Sequence, residues 1–230
     1  MTRLLLVLGL VGAASAAELV TMDSRAVVAW PALVLRDAPA ADAGALCSLP
    51  FGEVVAVVSS ADAGARVSVG GVAGHWRQVH WGAQQGWMFD AWLLPLPAPP
   101  ASCGGLESWV ARWSPQGVEL SEWLEDPATG EPFLQLVQDY QGGLQRVSPQ
   151  LPDGPRGVLW LPGTSLHQAW FVARRCHPGL GPLAESNWPP AGAGALSVRY
   201  TADRLEVSDP QGVVLLELER EDDGVWLAWR

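Results

Sequence analysis

Gly74-His75-Trp76-Arg77-Gln78-Val79, then Gln85-Gly86-Trp87-Met88, then Trp92-Leu93 form the stretch whose reading decides the fold. From Trp76 to Trp81 the residues alternate, with Arg77, Val79 and Trp81 on one face and Trp76, Gln78 and His80 on the other, the period of two that a strand requires. Upstream of it, short apolar runs are separated by turn-forming clusters: Val27-Val28-Ala29, Leu33-Val34-Leu35, the β-branched run Glu53 to Val58, and the alternating Arg66 to Val69. Five or six short strands in about 70 residues are what a small barrel needs.

The order and spacing of these runs resemble the bacterial SH3 domain. Leu33-Val34-Leu35-Arg36-Asp37-Ala38-Pro39 matches the family's opening strand in leucine, aliphatic, arginine and proline, and departs at Val34, where the family has asparagine. Phe51-Gly52-Glu53-Val54-Val55 matches the turn into the next strand apart from its lysine. Gly74 to Val79, Gly86-Trp87-Met88 and Trp92-Leu93 match the closing strands. The resemblance covers residues 24–95 and implies a small β-barrel that binds peptidoglycan or an envelope protein. Trp76 and Trp87 fall at family positions that are core or core-edge. Trp81 and Trp92, with Asp90 as a polar partner, are then the candidate ligand-binding residues.

The amino terminus reads as a secretory signal over residues 1–16: Arg3 gives a positive start, Leu4 to Val11 an apolar run, and Ala14-Ser15-Ala16 a small-residue cleavage site. That run is shorter than the roughly 20 apolar residues a membrane-spanning helix needs, so no transmembrane anchor is expected. The expected destination is the periplasm or the exterior.

Residues 96–105 read as a proline- and glycine-rich linker, beginning Leu96-Pro97-Ala98-Pro99-Pro100 and closing on Gly104-Gly105. Residues 106–230 then read as a second, antiparallel β domain, a sandwich or barrel. Its end is a four-strand meander: Leu196, Val198 and Tyr200; Leu205 and Val207; Val214, Leu216 and Leu218; Val225, Leu227 and Trp229. Asp209-Pro210-Gln211-Gly212 and Asp222-Asp223-Gly224 supply the turns. Strands are also expected near Val118 to Trp123, Phe133 to Val137, Val158 to Leu161 and Ala169 to Arg174. The whole chain is therefore expected to be all-β.

Net charge is −10, and it is unevenly spread. Residues 24–95 hold four arginines against five acids, whereas residues 105–230 hold nine against seventeen. An acidic surface repels phosphate backbones, so nucleic acid is not an expected partner. Lysine is absent, which excludes a P-loop, a pyridoxal Schiff base and the Ser-x-x-Lys acyl-transfer motif. The cysteines are Cys47, Cys103 and Cys176. Cys103 and Cys176 flank and enter the second half and are the expected disulfide. Cys47 is then a buried free thiol or an intermolecular bridge.

No catalytic set is coherent. His167, Cys176, His177 and Glu185 can be drawn as a zinc site, but their spacing fits no known motif and Cys176 is better used in the disulfide. Gly163-Thr164-Ser165-Leu166-His167 only partly echoes a nucleophile elbow, with Ser165 and His167 on one face of an expected strand. No metal and no cofactor are expected. The function that follows is a non-catalytic envelope protein binding peptidoglycan or an envelope partner. A cell-wall hydrolase with an unfamiliar catalytic half and a β-barrel carrier of a small apolar ligand are the alternatives.

Overall fold

The computed structural model describes residues 22–29, 31–58, 64–100, 102–126, 129–150, 157–183 and 188–230. The signal-like segment 1–16 and Glu185 lie outside them. Strands dominate, as the apolar alternation requires, and they pair antiparallel throughout the described residues.

In the first half, β1 (Met22–Val27), β2 (Ala32–Arg36), β3 (Ala45–Pro50) and β4 (Val54–Val58) are followed by a small hairpin of β5 (Val67–Val69) and β6 (Val72–Gly74). Then come β7 (Trp76–Trp81), β8 (Gln84–Phe89) and β9 (Leu93–Leu94). Apart from the hairpin they form one seven-stranded sheet in the order β3-β2-β8-β7-β4-β1-β9. The alternation along β7 divides its side chains between two clusters. Val79 packs with Val27, Leu35, Leu49 and Met88, and Trp81 leans on the same group. Trp76 packs instead with Val72, Phe89 and Ala91.

The glycines of the motif have steric causes. A Cβ on Gly86 would lie 2.6 Å from the backbone oxygen of Arg36 and 2.9 Å from the Leu35 side chain, where β8 meets β2. A Cβ on Gly74 would lie 2.6 Å from Asp90 Oδ1. Both distances are below what real Cβ contacts reach, so only glycine fits without displacement.

The second half is one eight-stranded sheet, ordered β10-β11-β12-β13-β17-β16-β15-β14. Its strands are β10 (Pro115–Glu125), β11 (Pro132–Tyr140), β12 (Gln145–Pro149), β13 (Gly157–Pro162), β14 (Ser197–Tyr200), β15 (Arg204–Ser208), β16 (Val214–Glu221) and β17 (Gly224–Trp229). The terminal meander forms as expected. Its middle turn is held by Gly212 N donating to Asp209 O at 3.0 Å, while Asp209 Oδ1 accepts from Gln211 N and Val213 N. Gly212 takes φ = 82°, which an L side chain would resist.

Among the described residues two α-helices interrupt the strands: α1 (Leu106–Val110) and α2 (Leu166–Cys176). The expected strand from Ala169 to Arg174 is therefore corrected to helix. Leu166, Ala169, Trp170 and Ala173 recur at helical spacing, and Ser165 and Gln168 form a capping box at its start. Helix α2 packs against β16, β17 and α1 and is buried along nearly its whole length.

The proline-rich segment is packed rather than bare. Leu96 is buried, and Trp109 of α1 donates its indole N–H to Pro97 O at 3.1 Å. The largest core cluster runs through this region. It joins Ala26, Val28, Leu94 and Leu96 to Trp109, Trp170, Leu159 and Leu227. A disulfide between Cys103 and Cys176, with Cα atoms 5.0 Å apart, ties the approach to α1 to the end of α2. Cys47 is free and half-buried, its Sγ 3.2 Å from Gln84 Oε1.

Candidate functional site

A cleft of about 470 Å³ opens between the first sheet and α2. One wall is Ala29 with Ala32 and Leu33 of β2; Gly70 of the β5–β6 turn closes one side. Trp92, Phe171, Arg174 and Trp188 supply the remainder. Trp92 sits just before β9 and packs against all three core clusters, which fixes its ring. It meets His167 edge-on with centroids 5.4 Å apart and Phe171 with centroids 5.2 Å apart. Trp188 lies 5.9 Å from the His167 ring and 5.2 Å from Tyr200.

The cation of the cleft is Arg174, only 8% exposed. Its guanidinium carbon stands 4.2 Å from the Phe171 ring centroid, a cation–π geometry. Burial, and then the neighbouring Arg175, lower its pKa to about 10. It therefore stays charged at neutral pH. A cleft with aromatic walls and one recessed guanidinium can stack a planar or sugar-like face and pair with a carboxylate.

Among the residues predicted to bind ligand, Trp92 lines this cleft and Trp81 and Asp90 do not. Trp81 donates its indole N–H to Glu53 Oε1 at 2.8 Å while its ring leans on the first-sheet core. Asp90 holds the chain before β7: Oδ1 accepts from His75 N at 2.7 Å, and Oδ2 accepts from Arg77 Nε at 3.3 Å. Phe171, Arg174 and Trp188 were missed from sequence. The first two sit on α2, whose capping box and helical spacing were the available signal.

Ser165 and His167 are brought together, but by a helix start rather than a strand face. Ser165 Oγ lies 2.9 Å from His167 Nδ1 and also accepts from the backbone N–H of Gln168. His167 Nε2 donates to Ala91 O, so Nδ1 carries the lone pair and takes the serine proton. Desolvation by burial is the main cause that lowers the His167 pKa to about 4, against smaller opposing effects from the Ala91 bond and Asp90. A base that weak is poorly matched to activating a hydroxyl at neutral pH. The arrangement serves as a cap and a tie between the two sheets. His177 is likewise engaged, with Nε2 donating to Arg230 O at 3.1 Å and Nδ1 accepting from Gly179 N. Cys176 is consumed by the disulfide, and no group of three metal-ligating side chains occurs among the described residues. No helix among them is long and apolar enough to cross a membrane.

The chain matches no known protein family, no curated protein and no solved structure.

Proposed function

We propose that this chain is an exported, non-catalytic binding protein of the bacterial cell envelope, and that the cleft between the first sheet and α2 takes a fragment of peptidoglycan. The cleft itself carries the reading: the half-exposed Trp92 and Trp188 offer aromatic faces, and Arg174, held over the Phe171 ring, sets a positive charge between them. Peptidoglycan presents both chemistries together, sugar faces and stem-peptide carboxylates. The signal-like start supports export, and the Cys103–Cys176 disulfide suits an oxidising compartment. The SH3-like motif series supports the envelope setting.

The test is co-sedimentation of the mature protein with purified sacculi. Binding to the pellet, weakened by Trp188→Ala and by Arg174→Gln with the fold retained by circular dichroism, is the expected result. A wild-type protein that stays in the supernatant removes the reading. A protein that pellets equally well with both substitutions removes the cleft from it.

A further inference from the structure

We infer that the outer face of the eight-stranded sheet, away from α2, docks a basic segment of a partner protein. Trp160 on β13 and Trp226 on β17 are directly opposed in the ladder, with ring centroids 5.1 Å apart. Both are half-exposed, and neither belongs to a core cluster. Gly224 makes room for this pair: a Cβ there would stand 2.8 Å from the Trp160 ring and 2.5 Å from Leu161 O. The Trp160 ring then walls a cavity of about 360 Å³ whose other lining is Glu221, Asp222 and Asp223.

Beside the aromatic pair runs an aliphatic row. The registers place Leu120, Val137, Val147, Val158 and Ala228 in line across five strands, from β10 to β17. All five are at least partly exposed, and Leu120 is 60% exposed. Charge selects the occupant. Glu206 and Glu217 on the same face are matched by Arg199 and Arg204. Glu219, opposite Trp226, has no such partner among the described residues, nor do the three acids of the cavity. A second copy of this face, or an anionic lipid surface, would set like charges against these four. A chain carrying arginines among aliphatic residues meets them with opposite charge, lays guanidinium groups on the tryptophan faces and covers the aliphatic row.

The probe is a fluorescein-labelled decapeptide of alternating arginine and valine, with a glutamate-valine peptide as control, titrated against the full chain by anisotropy. Saturable binding of the arginine peptide alone is expected. It should weaken about tenfold with Trp226→Ala, the scale of losing one aromatic anchor. It should weaken about as much when Glu221→Gln, Asp222→Asn and Asp223→Asn are combined on the exposed turn, where folding is not at stake. Neutralising Glu119 and Glu125 of β10 and Glu131 just before β11, all exposed and away from the cavity, should change it less than about twofold at matched net charge. Equal weakening by the two triple variants would reduce the effect to net charge and overturn the proposal. So would unchanged binding by either the Trp226 variant or the turn variant, or binding of both peptides alike.

Discussion

The side-chain amide of Gln168 donates to the backbone carbonyl of Leu93 at 3.0 Å, while its oxygen accepts from the backbone N–H of Ser165 at 2.9 Å. One side chain thus caps α2 and fastens it to the last strand of the first sheet. A longer bond to Asp90 O at 3.3 Å adds to the tie. Gln168 is 5% exposed and its bond to Leu93 is fully buried, so removing it strands a backbone carbonyl away from water and loosens two part-buried groups.

Gln168→Ala is therefore expected to lower the unfolding free energy by about 2–3 kcal/mol, the scale of leaving buried polar groups unpaired. Gln168→Glu keeps the acceptor for Ser165 but loses the donor for Leu93 and buries a carboxylate. It should cost at least as much as the alanine change at pH 7. Urea unfolding of both variants checks this, and a glutamate variant as stable as wild type would show that the Leu93 bond contributes nothing.

Gly86→Ala tests the steric reason for the Gly-Trp-Met motif. The added methyl meets the Arg36 carbonyl, which is backbone and cannot swing aside as a long side chain would. A loss of about 1–3 kcal/mol is expected from overpacking. Gly181→Ala, where a Cβ would meet open space, should change stability by less than about 0.5 kcal/mol under the same urea assay.

The strands were legible because their evidence is local. Alternation along Trp76 to Trp81 and in the terminal meander fixes which side chains share a face without any knowledge of what covers them. Asp209 and Gly212 announce their turn for the same reason. Residues 169–174 were misread because Ala169 to Ala173 is a continuous apolar run, all of it buried, and taken without its flanks such a run has no period that separates helix from buried strand. The Ser165 and Gln168 pair carried the missing information. The cleft was not legible, since Trp92 and Arg174 are 82 positions apart and meet only once α2 is set against the first sheet. Cys103 and Cys176 were legible as a pair because only three cysteines exist and two of them bracket the region from the proline-rich segment onward.

That disulfide closes a loop between positions 73 apart in the chain. On the chain-entropy account, cross-linking a loop of that length stabilises by about 4 kcal/mol through the unfolded state. The double substitution Cys103→Ser with Cys176→Ser should lose most of that. Removing both cysteines avoids a lone reactive thiol, and calorimetry of the oxidised parent beside the variant measures the difference. A change below about 1 kcal/mol would mean that residual structure already restricts the unfolded chain without the cross-link.

His167 makes stability depend on pH in a stated direction. Its folded pKa is about 4 and its ordinary value is 6.5, so burial favours the neutral ring. Between these values the unfolded chain binds a proton that the folded chain does not, and stability falls as pH falls. The contribution is fully present above about pH 6.5, and it is lost progressively down to about pH 4. Its total is on the order of 3 kcal/mol, with a slope near 1 kcal/mol per pH unit in mid-window. His167→Gln keeps a donor for Ala91 O and an acceptor for Ser165 while removing the titration. Its unfolding free energy, measured by urea at intervals from pH 4 to 7, should show a correspondingly shallower acid slope than wild type. Identical slopes in the two proteins would place the acid sensitivity on other groups and leave the His167–Ala91 contact without a role in it.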